Sequence, residues 1–308
     1  MSDAPLPLIS ILIPTHERPD YLELALKSAL AQTYGNFEVV ISDNSESDAS
    51  REMLAPYLAA HPRLRYHRQV GGGYMDNWLN ALRHSEGEYV AFLMDDDLFH
   101  PEKLSRMAQP FIAYGDKVGL VTSFRQLIDE QGRELPALPT TRRLFENDCT
   151  INGSALGDFV LRNGMNVIGE PTTVLLRRAD IGDRFGVFCG HQYQVLSDLS
   201  TWMQVMAGKQ CVYLKDAMSY FRMHAGQDQR RKSTALKANL EWLRLLLDGH
   251  ANGLYITDKT EFHELLATKL SGLVPFLAQH HAEIREGDFD VPAIQALIAR
   301  ALGMLMTP

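Results

Sequence analysis

The stretch YVAFLMDDDLFHPEKL, residues 89–104, runs a short apolar segment straight into three consecutive aspartates, Asp95, Asp96 and Asp97, and then a proline. The apolar part reads as a buried strand, and Pro101 with Glu102 reads as the first turn of a following helix, where proline and an acid are both favoured. The aspartates therefore stand at the carboxyl end of a strand. In open α/β sheets ligands bind there. Three adjacent carboxylates repel one another, and burial raises their pKa values unless cations or hydrogen-bond donors compensate. A hard divalent cation, Mg²⁺ or Mn²⁺, suits closely spaced carboxylates and ordinarily shares its shell with substrate phosphates. An acidic turn that only caps the helix would need one aspartate, not three.

Working outward, the first 125 residues alternate short apolar runs with amphipathic stretches, the pattern of βα units around a largely parallel sheet. LISILIP (8–14) reads as a buried strand, followed by a helix opened by Pro19 with Tyr21, Leu22, Ala25, Leu26, Ala29 and Leu30 at helical spacing. FEVVIS (37–42) and LRYHR (64–68) are further strands, separated by a helix in SDASREMLAPYLAAH. After Gly71, Gly72 and Gly73, YMDNWLNALRHSEG is helical. Residues 129–153 are long, polar and proline-containing, which suits a mobile loop. Beyond 229, Leu236, Leu240, Leu243 and Leu247, then Phe262, Leu265, Leu266, Leu270 and Leu273, then Ile294, Leu297, Ile298, Ala301, Leu302 and Leu305 define three helices.

The 308 residues carry 45% hydrophobic and 22% charged residues and a formal charge of −8, an ordinary globular composition that argues against a nucleic-acid binder working through a positive field. Cys149, Cys189 and Cys211 are odd in number and widely spaced. They build neither a disulfide framework nor a zinc cage, and a cytoplasmic setting fits them, with peripheral association at the inner face of a membrane left open. MSDAPLPLIS lacks a basic leader, and no run of about 18 apolar residues occurs, so neither an export signal nor a membrane span is expected.

The ordered motifs resemble the inverting glycosyltransferases of family 2. SILIPTHERPDYLELALKSALAQTYGNFEVVISDNS is similar to the family's opening block, and GGGYMDNWLNALRHSEGEYVAFLMDDDLFHPEKL to the block that ends in its DxD metal motif. GEPTTVLLRR and LSDLSTWMQVMAGKQCVYLKDAMSYFRMHAGQ are similar to the acceptor half. The resemblance implies a GT-A (Rossmann-like) α/β fold with a mostly parallel sheet over residues 1–228, divided into a donor-nucleotide half (1–125) and an acceptor half (126–228), with a helical C-terminal region (229–308). That region is free to pack on the catalytic domain, to pair in a homodimer or to hold the acceptor.

It also implies roles. Asp43 would accept from the uracil or thymine N3–H of a UDP- or dTDP-sugar, a fitting task for a group that only accepts. Pro14, Thr15 and His16 would cradle the base, His16 standing where the family commonly has tyrosine, and Arg18 would approach the diphosphate. Asp97 would ligate Mn²⁺ or Mg²⁺ directly, Asp95 would lie near the ribose or reach the metal through water, and Asp96 would meet the sugar or orient its neighbours. Arg222 or His224 would close on the diphosphate or metal. Asp198 would be the general base, with Glu170 or His191 next in line. The reaction implied is one inverting displacement by a hydroxyl of a glycan, a lipid-linked glycan or a protein, in settings such as bacterial polysaccharide biosynthesis, with no enzyme nucleophile.

Three further departures stand out. Met94 and Ser197 occupy positions where the family commonly has acids, which keeps open a degenerate module that binds nucleotide or a partner without turnover. Asp76 precedes Asn77 where an arginine is common, weakening the case for Gly71–Gly73 as a phosphate cradle. A sugar-phosphate nucleotidyltransferase would need a glycine-rich basic loop after the first strand, and PTHERPD has no glycine. The basic run at 230–232 reads as a solvated face or a contact for anionic lipid or phosphate.

Overall fold

The computed structural model describes residues 5–224, 232–287 and 289–307. The boundary expected at 228, and Arg230 and Arg231 of the basic run, lie outside them.

β1 (Ile9–Thr15), β2 (Phe37–Asp43), β3 (Leu64–Arg68) and β4 (Tyr89–Phe92) are parallel strands, and the links between them are α1 (Pro19–Leu30), α2 (Ala49–Ala60) and α3 (Tyr74–Arg83). β1 is buried along its whole length because helices cover both faces of a parallel sheet, which is why ISILIPT reads as a continuous apolar run. Leu22, Ala25, Leu26 and Ala29 of α1, all 0% exposed, pack against Ile9, Ile11 and Ile13. Burial of each leucine there contributes about 1.5–3 kcal/mol.

β5 (Leu98–Phe99) follows the aspartates, and α4 (Lys103–Tyr114) follows β5. The helix expected from Pro101 starts two residues later. Lys103 N–H bonds the His100 carbonyl at 3.0 Å and Glu102 N–H bonds His100 Nδ1 at 3.2 Å, so Pro101 is spent in a turn.

β6 (Val118–Ile128), β7 (Cys149–Asn152), α5 (Gly153–Asn163), β8 (Leu175–Arg177), α6 (Arg178–Ile181), β9 (Val187–Phe188), β10 (His191–Gln192), α7 (Ser197–Met206) and β11 (Gln210–Arg222) complete the part before the C-terminal helices. The main sheet runs β3-β2-β1-β4-β8-β6-β11-β5, with β7 beside β11. β8 enters antiparallel to both β4 and β6. The last residues of the expected loop at 129–153 are therefore not loop: Cys149–Asn152 pair with Gln210–Tyr213 in the sheet.

By contacts the chain divides into two compact units. The first holds the main sheet with α1–α4 and α6. The second holds most of α5, the β9–β10 hairpin, α7, and α8 (Lys232–Ala251), α9 (Lys259–Gln279), α10 (His281–Glu286) and α11 (Val291–Met306). Its core includes Trp202, Met203, Tyr255 and Phe262, each at most 1% exposed. Tyr255 takes the space of a missing side chain: a Cβ on Gly157 would lie 2.1 Å from its ring. Among the described residues no helix is long and apolar enough to cross a membrane.

Candidate active site

The strand order reverses beside β1, which has β2 on one side and β4 on the other. Such a switch point leaves a crevice at the strands' carboxyl ends. β1 ends in Thr15 and β4 leads into Asp95, and the two meet: Thr15 Oγ1 donates to Asp95 Oδ2 at 2.8 Å. Asn77 of α3 secures the end of β1, its amide donating to the Thr15 carbonyl at 2.9 Å.

Each aspartate of the run has a different environment. Asp95 is 6% exposed and lies 3.4 Å from Arg18 Nη1. Burial first, then the neighbouring Asp96, pushes its carboxyl up to about 6, against the opposing pull of Arg18 and Thr15. Asp96 keeps 13% of its side chain exposed, and its Oδ2 meets Arg18 Nη1 at 3.1 Å and His224 Nε2 at 2.8 Å. Asp97 is wholly buried, accepting from Thr172 Oγ1 at 2.6 Å and from the Arg222 N–H at 2.9 Å. Burial, with Asp96 and Glu170 adding, holds its carboxyl well above the usual range, although Thr172 and the Arg222 amide pull it down.

Arg222 ties the site together. Its Nε donates to the Asp96 carbonyl at 2.7 Å, its Nη1 to the carbonyls of Asp129 and Glu130, and its guanidinium lies 5.3 Å from the Tyr21 ring centroid. Its head is therefore engaged by the protein itself, at 2% exposure.

The side expected to hold the nucleotide is built from the β1 and β2 ends. Pro14 is buried in β1, level with Ser42, while His16 is exposed and donates from Nδ1 to the Asn44 carbonyl at 3.1 Å. Asp43 is 0% exposed, its Oδ1 accepting from the amide and hydroxyl of Ser45 and its Oδ2 from Tyr66 Oη at 2.9 Å. A base imide would have to share oxygens that already shape this loop. Glu17, at φ 51°, receives the Glu46 and Ser47 amides and the Ser47 hydroxyl, fastening the two loops to each other. At the glycine turn, Asp76 Oδ2 takes the Gly73 N–H at 2.8 Å, so a carboxylate already sits where a phosphate cradle would need its donors.

Sequence reasoning passed over Glu17, Thr172 and Arg125. Thr172 lies on the turn Pro171–Thr173, where its hydroxyl accepts from the Met94 N–H at 3.1 Å and donates to Asp97. Arg125, 3% exposed, pairs with Glu170 at 2.5 Å, which engages one of the two alternative bases. A threonine in PTT and an arginine inside a strand carry no local signal of such roles.

Asp198 belongs to the other unit. It is the second residue of α7, half-buried, with Oδ1 accepting from the Leu199 N–H at 2.7 Å. The helix cap is Leu196, so Asp198 lies inside the first turn, where the helix dipole favours a carboxylate. Leu199, Trp202, Met203 and Met206 form the buried face that their spacing predicts, all 0% exposed. The remaining alternative, His191, is half-buried, and burial followed by the charge of Arg244 lowers its pKa.

Does a divalent cation suit the aspartate run? The donors are hard oxygens with one imidazole beside them, and the raised pKa values of Asp95 and Asp97 mark a place where added positive charge would favour the ionised carboxylates. Among the described residues no three His, Cys, Asp or Glu side chains converge into a closed cage. The residues therefore fit an open site in which the protein supplies few ligands and a phosphate substrate the others, the usual manner of Mg²⁺.

With this geometry in view, the comparisons decide the family. The model of "Glycosyl transferase family 2" matches residues 10–163, half of the chain. The chain belongs to that family. An uncharacterized glycosyltransferase of Rickettsia felis is 33% identical over 130 residues, 42% of this chain and 21% of the relative. The chain thus matches about a fifth of the length of that relative. Among solved structures, Staphylococcus aureus TarS 1–349 in complex with UDP-GlcNAc is 16% identical at a TM-score of 0.61, over 96% of this chain and 89% of that one. The mannosyltransferase PcManGT from Pyrobaculum calidifontis, in complex with GDP-Man and Mn²⁺, is 15% identical at a TM-score of 0.55, over 98% and 88%. At such identities the likeness establishes the fold: the α/β GT-A architecture with its mostly parallel sheet and C-terminal helices.

Proposed function

We propose that this family member transfers a sugar from a UDP- or dTDP-sugar to a hydroxyl of a glycan, a lipid-linked glycan or a protein, with inversion at the anomeric carbon. The observation that carries the reading is the set of three carboxylates at the switch point of a parallel sheet, two of them pushed towards protonation and all three held by partners from β1, the turn at Pro171–Thr173 and the end of β11. Such an arrangement is costly in a protein that has no cation or phosphate to bind. The TarS complex with UDP-GlcNAc supports a UDP-sugar donor, and the PcManGT complex with Mn²⁺ supports a divalent ion.

Asp97, expected as the direct ligand, has both oxygens engaged by Thr172 and the Arg222 amide, so Asp96, the least buried of the three, and His224 beside it would meet Mn²⁺ or Mg²⁺, with Asp95 and Asp97 supplying negative charge behind them. When bound, the ion would offset the charge of the leaving diphosphate. Arg18, tied to both Asp95 and Asp96, orients these carboxylates and adds a cation on the donor side. His16 and the loops fastened by Glu17 and Asp43 frame the nucleoside. Asp198 takes the proton of the attacking acceptor hydroxyl. The anomeric carbon–oxygen bond to the diphosphate breaks as the new glycosidic bond forms on the opposite face, and the diphosphate departs with the electron pair. No protein nucleophile is required. Cys189 and Cys211 are poorly suited to such a role, since burial pushes their thiols up, Cys189 to about 11.

Asp198→Asn tests the reading. The amide keeps the size of the side chain but takes no proton, so transfer should fall by about 10² to 10⁴ while donor affinity stays near wild type. The measurement is single-turnover transfer beside a UDP titration with Mn²⁺. Transfer within a few-fold of wild type would remove Asp198 from the mechanism; absence of transfer in the wild type, with nucleotide binding intact, would favour the degenerate module that Met94 and Ser197 keep in view.

A further inference from the structure

The loop that leads into α7 is held by a helix far along the chain. Glu241, Arg244 and Asp248 recur at i, i+3 and i+7, on one face of α8. Glu241 Oε1 accepts from the Gln194 N–H at 2.7 Å, and Oε2 accepts from Val195 at 3.0 Å and Leu196 at 2.7 Å. Two turns further along, Asp248 Oδ2 accepts from Tyr193 Oη at 3.0 Å, and its carbonyl receives Cys189 Sγ at 3.8 Å. Arg300 of α11 completes this carboxylate from its other side, at 2.5 Å. All these residues belong to one compact unit.

Three consecutive backbone N–H groups that converge on one carboxylate form an anion-binding nest, here filled by the protein's own side chain. The need for it is visible in the sequence of α7. A helix leaves its first N–H groups unpaired, and Ser, Thr, Asp or Asn usually caps them. The cap of α7 is Leu196, which has no side-chain acceptor, and no side-chain cap bond forms. Glu241, 45 residues downstream of Leu196, supplies the missing negative charge to the approach instead. Burial raises its carboxyl, and the three amides and Lys237 oppose that rise.

We propose that Glu241 is a positioning residue for sugar transfer: by fixing the backbone of 194–196 it sets the direction of Asp198, two residues beyond, toward the acceptor hydroxyl. The proposal rests on the reading of Asp198 as the base. It gives the C-terminal helices a specific task, the holding of the base, in place of a general packing role. A base displaced by about 1 Å loses on the order of 10²-fold in rate, whereas the donor, bound elsewhere, is not affected.

The experiment compares wild type, Glu241→Ala, Glu241→Gln, Asp198→Asn and the Asp198→Asn/Glu241→Ala double variant, by sugar transfer with the UDP-sugar that the wild type accepts and by UDP binding with Mn²⁺. Glu241→Ala is expected to lower kcat about 10- to 100-fold with donor affinity unchanged. Glu241→Gln, which keeps one acceptor oxygen, should fall between it and the wild type. The double variant should be no slower than Asp198→Asn alone, because a misaimed base that takes no proton has nothing further to lose. Hydrogen exchange at the amides of 194–196 should accelerate in Glu241→Ala, and in Glu241→Gln if the alanine variant does not fold. Normal kcat despite faster exchange would overturn the proposal, as would a double variant slower by the full Glu241→Ala factor. Failure of the underlying reading looks different: Asp198→Asn would then transfer sugar near the wild-type rate.

Discussion

The aspartates at 95–97 and Asp198 are both carboxylates at the end of a structural element, yet they are kept in place by opposite means. Around the aspartate run the supporting groups are side chains and amides from β1, the turn at Pro171–Thr173 and the end of β11, brought 75 to 128 residues along the chain to reach them. Asp198 takes the adjacent Leu199 amide within the first turn of α7, and the loop before that helix is tied by Glu241 of α8. A carboxylate buried by tertiary contacts is costly to disturb, because the partners it abandons are buried too. One on a helix start is tuned mainly by dipole and solvent, and its removal costs little stability.

Stability measurements can break this contrast. Asp97→Ala strands the Thr172 hydroxyl and the Arg222 amide, so it should cost about 2–5 kcal/mol by urea denaturation, whereas Asp198→Ala should cost no more than about 1 kcal/mol. Equal losses in the two variants would show that Asp97 is not the buried keystone its bonds describe. For the same reason Asp97→Ala is a blunt probe of donor binding, and Asp96, which keeps solvent exposure, is the cleaner one.

Lys103 sharpens the first half of the contrast, the buried charge held by tertiary contacts, from the cationic side. It is 0% exposed, with Nζ 3.1 Å from the Thr173 carbonyl, 3.1 Å from Met107 Sδ and 4.9 Å from the Phe99 ring centroid. Burial lowers its pKa to about 7 from 10.5. The folded state therefore binds fewer protons than the unfolded state between those two values, and stability should rise with pH there, by up to about 1.4 kcal/mol per unit. Below pH 7 both states are protonated and the burial cost is fully felt. Lys103→Met removes this dependence, so the difference between variant and wild type should shrink from pH 7 to pH 10; a difference that stays flat would mean that the amine keeps its proton in the fold.

The smallest effect is expected where a network is redundant. Tyr193→Phe deletes one of the bonds to Asp248 and leaves Arg300 in place, so the loss should be about 1 kcal/mol in the same denaturation assay. A loss above about 3 kcal/mol would make the Tyr193 hydroxyl the main support of that carboxylate and Arg300 a surface ornament.

Much of this was written locally in the chain. The start of α1 at Pro19, all of β3, the buried face of α7 and the three long C-terminal helices follow from spacing and turn residues, because side-chain periodicity acts within one element. The aspartate run also declared itself as the end of a buried strand, although the short strand β5, and not the helix, follows it directly. β6 and β11 had no comparable signal: β11 slips register between Leu214 and Ser219, which breaks the alternation a strand is recognised by, and its parallel partner lies some 90 residues away. Nor does a row of three aspartates say which one is wholly buried and which one meets water. That was decided by Thr172, the Arg222 amide and His224, just as the footing of Asp198 was decided by Glu241. These groups reach their carboxylates only after the sheet and the helices have closed, and a group's burial and bonding depend on what packs against it, which its neighbours in sequence do not determine.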